Sequence, residues 1–130
     1  MANFTDDKIK TVWQNARTVD NFDPNKFRQD ACGAWMAWDN YGMETAIGWG
    51  IDHILPVAKG GTDHTSNLRA FHWQNNKSKA DDFPTYKSAV TAKEKENVPS
   101  VNELTINAPT LKELKQLYPN NNYLATVEAK

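Results

Sequence analysis

Asp52, His53, Asn67 and Asn76 are the residues of this 130-residue chain whose types and spacing invite chemistry. They fall within one stretch, Gly50 to Ala80, which reads GIDHILPVAKGGTDHTSNLRAFHWQNNKSKA. Asp52 and Asn76 carry side-chain oxygens, the donors a hard cation prefers. His53 is the side chain able to take a proton from water near neutral pH. Oxygen donors beside an imidazole point to metal-assisted hydrolysis. Two such donors favour Mg²⁺, or Mn²⁺, over Zn²⁺, which prefers nitrogen and sulfur. A zinc site would have to draw on His53, His64 and His72, spaced eleven and eight apart with no cysteine alongside, and that fits no usual structural zinc pattern. His72, four residues before Asn76, stays a further candidate ligand; His64 reads as a solvated loop histidine.

These side chains need elements to hold them. Ile51 to Leu55 has the pattern of a strand closed by Pro56. A regular strand would send Asp52 and His53 to opposite faces, so it must twist or end between them if both serve one site. The Gly60-Gly61 pair permits a tight reversal in the loop that follows. Leu68 to Phe71 is a short second strand. Trp73 to Ala80 is a helix, with Trp73 and Asn76 three apart on one face and Lys77 beside them.

The order Asp-His, Gly-Gly, Ser-Asn-Leu, Asn-Asn-x-x-Lys resembles the HNH endonucleases, whose core is a ββα-metal finger. The run from Phe27-Arg28-Gln29-Asp30-Ala31-Cys32-Gly33-Ala34-Trp35 through Gly48-Trp49-Gly50-Ile51-Asp52-His53 is similar to their small bacterial and phage members, so the likeness spans about Asp23 to Asp81. With asparagine at the helix position, Asn76, the chain matches an H-N-N variant. The family often carries an acidic residue where Gly50 stands, so one helper group is missing here.

The resemblance implies an α+β fold and a single domain. A ββα-metal (HNH, His-Me finger) core would occupy about residues 48–81, with an N-terminal helical extension over 1–30 and a C-terminal extension over 82–130 with further helical segments. It implies hydrolysis of phosphodiester bonds in DNA, with RNA as the alternative substrate. His53 would be the general base, and Asp52 and Asn76 would hold a Mg²⁺ that stabilises the leaving 3′ oxygen. Asn67 would orient the loop backbone and the histidine. Lys79, Lys77, Arg69 and Arg28 would contact nucleic acid. A solvated helix face for Lys77, and a surface ion pair with Asp30 for Arg28, are the plain alternatives.

Charge qualifies this expectation. The formal charge of −1 is unlike the basic character of most nucleic-acid-binding domains. Residues 49–80, however, hold four basic side chains and only two acidic ones, Asp52 and Asp63. With Asp52 on a dication the site is locally positive, which suits a small footprint on a phosphodiester rather than an extended groove. Two other function classes therefore stand beside the nuclease: a non-catalytic nucleic-acid-binding finger, and an interaction module that meets a protein partner through the C-terminal segment.

The rest of the chain frames this core. Thr5 is a cap for a helix in which Ile9, Val12, Trp13 and Ala16 share one apolar face. Asn25 to Asp30 reads as a polar segment anchored by Phe27, and Cys32 to Trp38 as an extended arm. Thr85 to Glu96, rich in alanine and lysine, reads as helical. Pro109-Thr110 opens a helix carrying Leu111, Leu114 and Leu117, and Tyr123 to Val127 reads as an edge strand. The lone Cys32 excludes an internal disulfide. No apolar run approaches the roughly 20 residues of a membrane span, and MANFTDDKIK lacks a signal-peptide core. A soluble, cytoplasmic setting is expected.

Overall fold

The computed structural model describes residues 3–128, so the two residues at each end of the single-domain reading lie outside it. The chain is α+β, with short helices and four two-stranded antiparallel ladders. Helix α1 (Asp6–Gln14) starts where the Thr5 hydroxyl accepts from Lys8 N, with Asp6 and Asp7 in the first turn where the helix dipole favours anions. Its Val12 and Trp13 are buried, and Ile9 and Ala16 pack on the same cluster.

Strands β1 (Phe27–Gln29) and β2 (Trp35–Ala37) form the first ladder. Phe27 is not the anchor of this segment: it is exposed against Phe22, while Arg28 turns inward. Strands β3 (Trp49–His53) and β4 (Leu68–His72) form the second, and α2 (Trp73–Lys79) follows β4 without a linking residue. On one side of this hairpin Trp49, Leu68 and Ala70 join Val12, Trp13 and Met36 in a core. On the other, Phe71 joins Ile54, Leu55 and the apolar residues of the C-terminal extension. At roughly 1.5–3 kcal/mol for each large apolar side chain buried, these two clusters clamp the hairpin from both faces.

Three elements differ from expectation. The strand expected at Ile51 to Leu55 runs Trp49–His53 instead, because Asn67 takes over the backbone beyond it: its carbonyl accepts from Ile54 N at 2.8 Å and its side-chain oxygen from Leu55 N at 2.7 Å. Thr85 to Glu96 is not helical. It forms β5 (Thr85–Lys87), β6 (Val90–Lys93) and the start of β7 (Glu96–Pro99); β6 pairs with β7, and β5 with β8 (Glu103–Thr105). The Asn75 side chain captures Ala89 N and Val90 N at 2.7 and 2.9 Å, which a helix would have used for itself. Helix α3 (Ala108–Leu117) begins behind an Asn107 cap and buries Leu111 and Leu114. The expected edge strand at Tyr123 to Val127 is instead helix α4 (Asn122–Ala125), capped by Asn121, whose side chain accepts from Leu124 N at 2.8 Å. No helix among the described residues is long and apolar enough to cross a membrane.

Candidate active site

The β3–β4 hairpin and α2 enclose a cleft of about 230 Å³. Asp52 and His53 border it from β3, Pro56 and Val57 from the chain just beyond, and Asn76 and Asp81 from α2 and its end. Asp52 and His53 are successive residues of β3, and both border this cleft.

Asp52 faces α2 and is buried. Its Oδ2 accepts from Arg69 Nε at 2.9 Å, and its Oδ1 lies 3.3 Å from Lys79 Nζ. Lys79 is fully buried and also donates to the His53 carbonyl at 3.1 Å. Burial pushes its ammonium below the ordinary pKa against the pull of Asp52. Burial works the same way on Arg69, but there Asp52 and Tyr86 outweigh it and hold the guanidinium above its ordinary value. Arg69 is the closer partner of the carboxylate. Of the two Asp52 oxygens, Oδ1 is the loosely held one, with lone-pair capacity to spare.

His53 lies at the other rim of the cleft. Its Nε2 is 2.7 Å from Asp63 Oδ1, and Phe4 packs beside the ring at 6.1 Å between centroids. The loop between β3 and β4 is held from within by Asn67, which is fully buried. Besides accepting from Leu55 N, the Asn67 amide donates to the carbonyls of Leu55 and Thr62, both at 3.0 Å. Gly60 adopts φ 99°, and a Cβ on Gly61 would run into the Leu55 carbonyl, so this reversal needs both glycines.

Several expected site residues have other work. His72 is buried and holds no position for a metal: its Nε2 donates to the Ala46 carbonyl at 2.9 Å, and its Nδ1 accepts from Gln74 N at 3.1 Å, capping α2. Burial lowers its pKa, which keeps the ring neutral for that cap. Arg28 is no phosphate contact; its Nε donates to the Pro24 carbonyl and its Nη1 to those of Gln14 and Ala16. Nor is Arg28 paired with Asp30 at the surface. Lys79 and Arg69 are committed to Asp52 rather than turned to a nucleic acid. Lys77 alone of the four expected contacts keeps a free position, on the edge of a neighbouring cleft of about 410 Å³ that shares Asn76 with the site. His64 is an exposed loop residue, with Nδ1 accepting from Ser66 N.

No family model matches this chain, and no curated protein or solved structure matches it either. The assignment of the site therefore rests on its own geometry.

That geometry also brings forward residues the sequence reading passed over. Asp30 is buried, and its carboxylate accepts from the backbone N–H groups of Cys32, Ala34 and His72 and from Asn75 Nδ2, at 2.9–3.0 Å. Asn75 passes the connection on to Val90. One hydrogen-bonded chain thus ties the N-terminal segment, the start of α2 and the C-terminal extension together behind the cleft. Cys32 beside it is no nucleophile, since burial and the Asp30 charge push its thiol up to about 12. Asp63 and Asp81 are the other additions. The acidic residue inside the Gly-Gly loop was the available signal for Asp63.

Among the described residues no group of three or more His, Cys, Asp or Glu side chains is arranged to hold a metal. A Mg²⁺ ion asks for less. It takes one or two carboxylates, keeps several waters and completes its shell with substrate phosphate. Asp52 and Asn76, which border one cleft, carry oxygen donors of that kind.

Proposed function

We propose that this protein is a divalent-metal-dependent endonuclease of the HNH type that hydrolyses phosphodiester bonds in DNA. The observation that carries the reading is that Asp52, His53 and Asn76 border one cleft where a two-stranded hairpin meets its helix. Strand–strand–helix order, the Asn67-braced loop and the cationic balance of residues 49–80 support it.

Asp52 and Asn76 would hold the ion, most favourably Mg²⁺. A bound divalent cation supplies stabilisation of the charge that develops on the leaving 3′ oxygen and on a non-bridging phosphate oxygen. His53 takes a proton from water as the water oxygen bonds to phosphorus, and the bond from phosphorus to the 3′ oxygen breaks. Solvent returns a proton to the leaving oxygen, giving 5′-phosphate and 3′-hydroxyl ends. Lys77 lies where it can meet a neighbouring phosphate. Arg69 and Lys79 aim the Asp52 carboxylate, and Asn67 holds the turn that follows His53.

A second reading is a nucleic-acid-binding module that does not cut. What favours it is that both Asp52 oxygens already have cationic neighbours, so the carboxylate has a sufficient role in folding alone. Incubation with supercoiled plasmid separates the two. The nuclease reading expects nicking with Mg²⁺, none with excess EDTA, and a loss on the order of 10²-fold or more in His53→Ala. Plasmid bound but left intact with both Mg²⁺ and Mn²⁺ would establish the module instead.

A further inference from the structure

We propose that Asp63 is a positioning residue for His53 and that it fixes which ring nitrogen accepts the proton. This rests on the hydrolytic role of His53 argued above. His53 Nε2 and Asp63 Oδ1 are 2.7 Å apart. An ionised carboxylate only accepts hydrogen bonds, so Nε2 carries the hydrogen. In the neutral ring the lone pair then belongs to Nδ1. The other two histidines make the contrast. In both His64 and His72, Nδ1 already accepts a backbone N–H, from Ser66 and Gln74 respectively. His53 is thus the histidine whose Nδ1 lone pair no protein donor claims among the described residues, and it is the one on the cleft.

The Asp63 side chain is 60% exposed, and the loop that presents it is braced at its neighbours. The preceding residue, Thr62, donates its N–H to the Tyr118 hydroxyl at 3.0 Å, its carbonyl accepts from Asn67 Nδ2 at 3.0 Å, and its hydroxyl lies 2.8 Å from the same Tyr118 oxygen. Asn121 Nδ2 adds a bond to the Lys59 carbonyl at 2.9 Å. Two residues of the C-terminal extension therefore brace the loop that presents Asp63. An orienting carboxylate behind a general base sets its tautomer and aim, as the third member of a catalytic triad does. The geometry assigns Asp63 that part, with Nδ1 of His53 as the proton-accepting atom.

The test uses the full chain labelled with ¹⁵N, without metal or DNA, and reads the His53 ring by long-range ¹H–¹⁵N correlation. The wild type should hold hydrogen on Nε2, and Asp63→Ala should spread the ring over both tautomers. In plasmid nicking Asp63→Ala should lose about tenfold or more in kcat with KM within about twofold, a part of what a general base supplies. Asp63→Asn should not restore the rate, because its amide can turn its NH2 to Nε2 and leave the hydrogen on Nδ1. A wild-type ring with hydrogen on Nδ1 overturns the assignment. So does an Asp63→Ala variant unchanged in both tautomer and rate while His53→Ala is inactive. Nicking by His53→Ala at the wild-type rate would instead bring down the hydrolytic role of His53, whatever the spectrum reads.

Discussion

Arg69 stands directly across the β3–β4 ladder from Asp52, and its Nε donates to the Asp52 carboxylate at 2.9 Å. The guanidinium lies over the rings of Phe71 at 4.4 Å and Tyr86 at 5.2 Å, so one arginine ties the hairpin, the core and the C-terminal extension to a single carboxylate. Its Nη2 is buried without a hydrogen-bond partner, a cost that this ion pair and the stacking offset. Asp52 is therefore fixed by protein contacts, and its charge is already partly balanced. Each of the following expectations depends on that arrangement.

Lys79 and Lys77, two residues apart on α2, should respond in opposite ways. Lys79→Met leaves Asp52 with Arg69 alone and the His53 carbonyl without its donor. Because Arg69 stays, the loss should be about 2–3 kcal/mol, below that for a buried charge left wholly unpaired. The salt dependence of DNA affinity should not move. Lys77→Ala should leave the melting temperature within a degree or so and lower the salt slope of DNA binding by about one. Urea unfolding and binding titrations at several salt concentrations read both variants. A change of salt slope in Lys79→Met would show that this lysine reaches phosphate after all.

His72 makes the fold sensitive to acid. Burial lowers its folded-state pKa below the ordinary value. Between the folded and unfolded values, only the unfolded chain binds the proton, so protonation favours unfolding in that window. The contribution is fully present above the unfolded value, near 6.5, and is lost as pH falls from there towards the folded value. Protonation of Nδ1 would also remove the acceptor for Gln74 N and with it the cap of α2. The melting temperature should thus decline as pH falls below about 6.5. His72→Asn keeps a capping acceptor without the titration and should flatten that decline. An equal slope in the variant would move the effect to another group.

What could be read from the sequence was what is decided locally. Thr5 and the Ile9, Val12, Trp13, Ala16 face specify α1 within a few residues, and Leu111 with Leu114 does the same for α3. Asn121, three residues ahead of Leu124, was a usable cap signal for α4, overridden in reading by the β-branched and aromatic residues after it. The strands after Thr85 were not legible, because their partners are distant: Asn75 for Ala89 and Val90, Glu103–Thr105 for Thr85–Lys87. Asp30 hid for the same reason. Two residues from Arg28 in sequence it looks like half of a surface pair, yet its acceptor capacity is spent on Cys32, Ala34, His72 and Asn75. At the site, residue identity announced Asp52, His53 and Asn76 as chemistry-bearing. It could not announce that Lys79 and Arg69 turn inward, since a lysine three residues past Asn76 carries no local mark of burial.

The same inward pair sets how the ion should bind. With Arg69 and Lys79 beside it, the Asp52 carboxylate offers a dication little net negative charge, and Asn76 adds a neutral donor. Mg²⁺ should therefore bind the protein alone weakly. A DNA phosphate in the cleft brings the missing negative charge and further oxygen ligands, so ion and substrate should bind cooperatively. By linkage the factor is the same in both directions, and a coupling on the order of tenfold is a reasonable expectation. The His53→Ala variant suits the measurement, since it keeps both proposed ligands and should not cut. Calorimetric titration of Mg²⁺ into this variant, with and without a short duplex, gives one half of the cycle. Duplex titration with and without Mg²⁺ gives the other. Asp52→Asn on the same background should abolish the coupling while leaving the weak affinity for DNA nearly unchanged. Mg²⁺ affinity that is equal with and without the duplex would mean that Asp52 and Asn76 do not share an ion with the substrate.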